Sequence, residues 1–347
     1  MAKNNVSRKS GSRAALGLIA ALACAVPATT WSQARTSQAE VDALVKAARA
    51  EGEVTFYIGL TENVATRIAG AFSAKYGIKT QFIRLDAVAL IGRYSAEAEA
   101  GNIAADVFSA AGGADAFADE ALKKGWIEPL TQAGIPVISG GELPAVFNRG
   151  RSAIMQVTPW MLVYNTDKVK GADIPRDWND LLQPKWKGQV IVNNPAASVA
   201  FLEFWGLLQD KYGDAFLSRM KENIRPVGTP LQGLQGVAAG EGGFMLPVVP
   251  PQVQGAKDKG APLNTVQMDL TTGVVTHVML TSRSKAKHWN AGRLFINYVL
   301  SPEGNQVVNA DPGGFTIYDT TRLPRQYESP KPGMAARKDT IVRLLGF

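Results

Sequence analysis

"GQVIVNNPAASVAF", residues 188–201, changes character halfway along. Residues 188–194 read as a short apolar strand closed by two asparagines, and the run from Val199 through Leu202, Phe204 and Trp205 has the spacing of a buried helix. Between them stand Pro195, Ala196, Ala197 and Ser198, residues that leave the backbone bare. A helix start carries N–H groups without intrahelical partners and about half a unit of positive charge, which suits it to an anion. A routine N-cap has the same residues, so the segment alone does not decide between the two.

The same strand, loop and helix order recurs upstream. A helix at 41–50 stops at Gly52, and "EVTFYIG" (53–59) is a strand followed by a helix start at Thr61, Glu62 and Asn63. "KTQFIRL" (79–85) precedes a helix reaching Ala100, and "ADVFSAAGG" (105–113) runs from a strand into a small-residue loop before a helix at 116–124. Alternation of this kind predicts an α/β fold, in which the carboxyl ends of strands line the ligand crevice.

Downstream, strands are predicted at 161–169, 188–194, 244–249 and 271–280. Helices are predicted at 175–182, from Ser198 to about Lys211, at 215–223, across the glycine-interrupted 231–243, and at 291–308 with a turn after Ser301. The chain is too long for one ordinary core, and two lobes are expected.

The first residues have the form of an export signal. Lys3, Arg8, Lys9 and Arg13 precede the apolar run 14–28, no acidic residue occurs before Glu40, and a cleavage site fits after Ala34. Residues 1–34 hold four of the 37 basic residues and none of the 30 acidic ones, so the net charge of +7 falls to +3 in the remainder. That balance gives no argument for nucleic acid. The single cysteine, Cys24, lies inside the signal, which leaves no thiol chemistry after cleavage.

Catalytic constellations are scarce. His277 sits in an apolar strand and reads as a hydrogen-bonded structural histidine; His288, beside Lys285 and Lys287, reads as surface. No GxSxG, HExxH, GxGxxG or P-loop pattern occurs, and "GEGG" (240–243) reads as a turn. Asp106 and Glu203 are carboxylates that a fold would have to bring together before they could act. What remains is the set of helix starts at 61–63, 109–113, 196–198 and 229–232.

Taken in order, "EGEVTFYIGLTEN", "ADVFSAAGGADAFADEALKKGWIEPL", "MLVYNTDKVKGADIPRDWNDLLQPKWKGQVIVNNPAAS", "AAGEGG" and "AGRLFINYVLSPEGNQVV" followed by "GGF" resemble the type 2 periplasmic solute-binding proteins of ABC transporters. The branch includes ferric-ion, phosphonate, sugar-phosphate, thiamine and polyamine binders. The resemblance implies two α/β lobes joined by hinge strands, with lobe one from 35–157 plus 269–312 and lobe two from 158–268 plus 313–347. Thr158 and Thr271 would lie near the hinge. It further implies a monomeric periplasmic receptor that closes on a small molecule and delivers it to a membrane permease, with no catalysis, no cofactor and no nucleic acid.

The ferric binders of this branch carry a histidine, a glutamate and a tyrosine pair at positions that fall here on Thr61, about Ala111 and Pro250-Pro251. Those residues make a poor ferric set. The branch's anion-holding helix start falls on Ser198. The resemblance therefore implies an organic anion, a carboxylate, phosphonate or phosphate ester, held by Thr61, Asn63, Ser109, Gly112, Thr158, Ala197, Ser198, Val199, Thr272 and Gly273. Arg84 is a candidate carboxylate clamp, and Trp160, Phe244 and Tyr57 are candidate apolar walls. A ferric transporter without the tyrosine pair and a secreted enzyme on the same fold are the competing expectations.

Overall fold

A computed structural model describes residues 37–311, 314–331 and 333–347. The expected export signal at 1–34 lies outside the described residues. Among those described, no helix is long and apolar enough to cross a membrane.

The chain builds two sheets. The first begins with α1 (Gln38–Glu51), β1 (Glu53–Ile58), α2 (Glu62–Tyr76), β2 (Lys79–Arg84), α3 (Ala87–Glu99), β3 (Val107–Ala110), α4 (Ala114–Lys123), β4 (Ile127–Glu128), the single turn α5 (Pro136–Ser139) and β5 (Ala153–Pro159). Strand β1 lies between β2 and β3 in parallel register, with Phe56 opposite both Phe82 and Val107. The chain then crosses at Trp160 into the second sheet, built from β6 (Met161–Asn165), β7 (Val190–Asn193), α6 (Val199–Tyr212), α7 (Asp214–Met220), β8 (Ile224–Val227), α8 (Pro230–Ala238), β9 (Phe244–Val248), α9 (Pro250–Lys257) and β10 (Leu263–Val266). Its strand order is β10-β6-β9-β7-β8.

The return passes through the short β11 (Leu270–Thr271) into β12 (Gly273–Thr281), which re-enters the first sheet antiparallel to β3, β4 and β5. Helices α10 (Trp289–Leu300) and α11 (Pro302–Val308) cover that sheet. Their placement has a clear anchor: Glu51 at the end of α1 accepts from the backbone of Asn290 (3.1 Å) and Ala291 (2.7 Å), capping the α10 start with a carboxylate. Behind it, Phe295 meets Phe56 at 4.5 Å and Phe72 at 5.2 Å between ring centroids.

The remaining chain divides between the two cores. Phe315 and Ile317 are buried with the first, whereas Met334, Ile341, Leu344 and Leu345 are buried with the second, the last three on α12 (Lys338–Leu345). The segment between them supplies β13 (Gln326–Tyr327), parallel to β11.

The two crossings run side by side. Trp160 N donates to Thr272 O at 2.9 Å, Thr271 Oγ1 donates to Trp160 O at 3.0 Å, and Gly273 faces Pro159 across the β5–β12 ladder. A Cβ on Gly273 would lie 2.5 Å from the Thr158 carbonyl oxygen and 2.9 Å from Pro159 Cα. Both obstacles are backbone, so neither can rotate away. Gly273, expected as a ligand donor, is the close approach that lets the two crossover strands pack.

Most elements match the pattern reading within a few residues, with differences at edges. Residues 178–182 form a 3-10 turn that begins later than the helix expected at 175. Strands β4, β5, β8, β10 and β13 and helices α5, α9 and α12 were not expected. His288, expected on the surface, instead donates its backbone N–H to Asp106 Oδ1 at 2.8 Å and sets Nδ1 3.1 Å from Oδ2. Asp106 is fully buried and also accepts from Thr55 N at 2.9 Å, which makes it a structural carboxylate.

Replacing Gly273 by alanine should lower stability by about 1–3 kcal/mol or more, because overpacking against fixed backbone leaves no room to relax. A thermal melt of the variant checks this. A wild-type melting temperature would refute the account of the crossing.

Candidate functional site

The site begins at the segment that opened the reading. Asn194 Oδ1 accepts from Ala196 N at 2.8 Å and bends 195–197 into a single 3-10 turn. Ser198 then takes an extended conformation, and its Oγ accepts from Ala200 N at 3.2 Å while its carbonyl receives Phe201 N at 3.1 Å. Thus Ser198 is the N-cap of α6. The amide of Val199 is left without a partner among the described residues. Helix α6 is held by Leu202, Phe204, Trp205, Leu207 and Leu208 in the second core, so its start is a fixed point rather than a floating loop.

Opposite stands the loop between β3 and α4. Gly112 and Gly113 have φ of 34° and 86°, values that favour glycine, and Gly113 caps α4. A Cβ on Gly112 would lie 3.7 Å from Ser198 Oγ, so two of the expected helix starts, one from each lobe, meet across the gap.

Beside that contact opens a cavity of about 580 Å³. Gly112, Asp115, Asp119, Arg149, Arg151 and His277 come to it from the first lobe, Val199 and Glu203 from α6, and residues 329–331 and 333–335 of the tail close a further side. The tail is seated firmly: a Cβ on Gly206 would come within 2.5 Å of Met334 Sδ.

The charges of this cavity are unevenly satisfied. Arg151 pairs with Asp115 and Asp119, each at 2.8 Å, and Lys331 pairs with Asp210 at 2.8 Å. Arg149 lines the cavity with no carboxylate in ion-pair range among the described residues. His277 Nδ1 lies 3.1 Å from Ser152 Oγ, and burial, with Arg149 and Arg151 adding to it against Asp115, brings it down to about 4. It is therefore neutral at pH 7, as a structural histidine would be. Glu203 is half-buried, and its burial, reinforced by the Asp115 charge, pushes it up to about 7.

The other expected residues are distributed differently. Thr61 and Thr158 line a separate cavity of about 230 Å³ with Arg84, Gln156, Pro250, Pro251, Asn309 and Asp311. Arg84 Nε donates there to Leu60 O at 3.1 Å, and Asp311 is held by Arg67 at 3.0 Å. Asn63 and Ala197 are exposed and line neither cavity. Ser109 is buried, its Oγ 3.9 Å from Met155 Sδ. Thr272 is 1% exposed, has no partner for Oγ1 among the described residues, and borders a pocket of about 10 Å³ shared with Glu203, Ser329 and Lys331.

Of the proposed apolar walls, Tyr57 and Phe244 are fully buried and Trp160 is 4% exposed. All three are core residues. Tyr57 spends its hydroxyl on Glu97 at 2.7 Å, inside the first lobe. Sequence reasoning overlooked Arg149, Asp115 and the tail, and named Glu203 only as a possible partner of Asp106, which lies buried elsewhere; their common address exists only after the second lobe and the tail have folded back.

Because the Glu203 carboxyl is protonated more readily in the folded chain than in the unfolded one, its contribution to stability falls as pH rises from about 4.5 to about 7. Glu203→Gln should therefore raise the melting temperature relative to wild type more at pH 8 than at pH 5. A difference that does not change with pH would rule this out.

Residues 102–329 match the family model of bacterial extracellular solute-binding proteins. An uncharacterised protein of Haemophilus influenzae is 26% identical over 274 residues, 75% of this chain and 76% of that protein. Iron-bound HitA from Pseudomonas aeruginosa superposes with a TM-score of 0.65 at 19% identity, covering 85% of this chain and 99% of that one. The periplasmic binding protein AfuA from Actinobacillus pleuropneumoniae, with fructose-6-phosphate bound, gives 0.57 at 21% identity over 85% and 96%. PotD from Streptococcus pneumoniae, a spermidine/putrescine transporter substrate-binding protein, gives 0.61 at 13% over 84% and 99%. With the match covering more than half of its length and the bilobal α/β architecture shared, this chain belongs to the bacterial extracellular solute-binding proteins.

Proposed function

We propose that this chain is the periplasmic receptor of an ABC importer, exported through residues 1–34 and acting without catalysis as a monomer. It captures a small organic anion, a carboxylate, phosphonate or phosphate ester, between a lobe built on 35–157 plus 269–312, which Phe315 and Ile317 join, and a lobe built on 158–268, which Met334 and α12 join. One observation carries the anion reading: the α6 start, whose Val199 amide has no partner among the described residues, meets the Gly112 loop beside a cavity lined by the exposed Arg149, which has no carboxylate partner among them. A helix terminus and a guanidinium favour the same charge sign. That the seat lies between lobes gives the ligand a reason to stabilise closure, which is the form a permease would read.

Ferric ion is the principal competitor, since iron-bound HitA shares the fold. Its seat in the branch corresponds here to Thr61 and Pro250-Pro251, which share the smaller cavity but offer a hydroxyl and two proline rings. Oxygen-rich anionic donors suit ferric ion far better.

Thermal-shift screening against carboxylates, phosphonates, phosphate esters, polyamines and ferric salts separates these readings. A ligand at a hundredfold excess over its Kd adds about 2.7 kcal/mol of stability, enough to move the melting temperature. Anions should shift it and polyamines should not; a polyamine or ferric hit with no anion hit would overturn the reading.

Ser198→Asp should weaken the best anion by at least about tenfold, or ~1.4 kcal/mol, by setting negative charge against it. Ser198→Ala should cost about 1 kcal/mol of stability through the lost cap and leave affinity within a few-fold. Equal affinity in Ser198→Asp and wild type, measured by titration calorimetry, would remove α6 from the site.

A further inference from the structure

The anion seat uses the α6 start and Arg149, yet the same cavity contains a carboxyl that neither the fold nor an ion pair employs. Glu203 lies one and a half turns into α6, lines the 580 Å³ cavity, and has no hydrogen-bond or ion-pair partner among the described residues. The carboxylates around it are engaged: Asp115 and Asp119 hold Arg151, and Asp210 holds Lys331. A half-buried carboxyl on a rigid helix, left without a donor, costs free energy unless something supplies one.

A second observation points the same way. Thr272 Oγ1, 1% exposed and also unpartnered, borders the small pocket that Glu203 shares with Ser329 and Lys331. Two unsatisfied polar groups, one from the hinge and one from the second lobe, thus converge on one side of the cavity. The α6 start, one turn before Glu203, and Arg149 line the same cavity.

From this arrangement, resting on the anion reading above, we infer that Glu203 is a specificity-determining residue: it accepts a hydrogen bond from a hydroxyl or ammonium group that the anionic ligand carries at its other end. The seat then selects bifunctional anions over simple ones. Affinity for the anionic group alone comes from α6 and Arg149, while discrimination comes from a buried acceptor that a ligand lacking the donor would leave unpaired.

The surroundings of Glu203 predict a pH signature. It is faced by Asp115 and Asp119 from α4, Arg149 and Arg151 from the segment before β5, His277 from β12, Lys331 from the tail and Tyr327 from β13. Its own burial and Asp115 keep it up near 7, so the accepting carboxylate forms as pH rises through that value. The preference for a donor-bearing ligand should strengthen from pH 6 to pH 8.

Titration calorimetry with three phosphate monoesters tests the inference: ethyl phosphate, glycerol 3-phosphate and O-phosphoethanolamine. The wild type should bind glycerol 3-phosphate, O-phosphoethanolamine or both at least tenfold more tightly than ethyl phosphate at pH 8, and which of them wins distinguishes a hydroxyl from an ammonium donor. Glu203→Gln should bring the preferred ester to within about threefold of ethyl phosphate, while ethyl phosphate itself binds at least as tightly as to the wild type because a negative charge has left its seat, which also shows that the variant is folded. For glycerol 3-phosphate, whose phosphate titrates close to that of ethyl phosphate, the ratio of the two affinities cancels the titration of the phosphate and should rise with pH in the wild type only; for O-phosphoethanolamine the comparison is made at pH 8, where both phosphates are dianions.

Equal binding of all three esters by the wild type, or an undiminished preference in Glu203→Gln, overturns the role of Glu203 and leaves the anion seat intact. Failure of the wild type to bind any of the three counts against the anion seat, and the inference falls with it.

Discussion

Everything in this molecule depends on two strands crossing between the sheets at van der Waals distance. The ladder that joins β5 to β12 ends at Gly273 and Pro159, and the next backbone bond, from Trp160 N to Thr272 O, already belongs to the passage between lobes. No side chain fits at Gly273 because the Thr158 carbonyl occupies that volume. The second sheet is therefore an insertion between two neighbouring strands of the first, and its orientation is controlled by a few residues of paired backbone. A hinge of this kind resists shear, because the strands are bonded, and still permits bending about their common axis.

Much of this plan was legible in the residues. The strand, loop and helix order at 53–76, 79–99 and 107–123 is carried by clean periodicity, and α6 could be placed from its apolar run. The strands that went unread have physical reasons for silence. Strand β8, "IRPV", sits at a sheet edge, where Pro226 is tolerated and a charged side chain is no penalty. Strand β10 lies at the opposite edge with polar Asn264 and Thr265. His288 was misread because its partner, Asp106, is 182 residues away in the chain. Local charge around His288 says surface, and only the buried carboxylate reverses that.

The site was legible in halves. Ser198 and Gly112 could be nominated singly as helix or loop starts, and the fold brings them face to face. Thr61 was nominated by the same reasoning and Thr158 from its implied place near the hinge, and both arrive in a different cavity, because sequence spacing holds no information about which end of an interlobe gap a strand reaches. Arg149 had no local pattern to mark it, and Glu203 was marked only as a carboxylate in want of a partner. Their interest comes from what the surrounding chain fails to provide, a carboxylate for one and a donor for the other, and such a deficit is a property of three-dimensional neighbourhoods.

Tail residues 329–331 and 333–335 line the interlobe cavity without belonging to either sheet, held in part by Met334 against Gly206. A wall of this kind can be rebuilt while both hydrogen-bonded frameworks stay as they are. One side of the cavity is thereby shaped by chain outside both sheets, so its contour can change there while the strands that hold the two lobes stay paired.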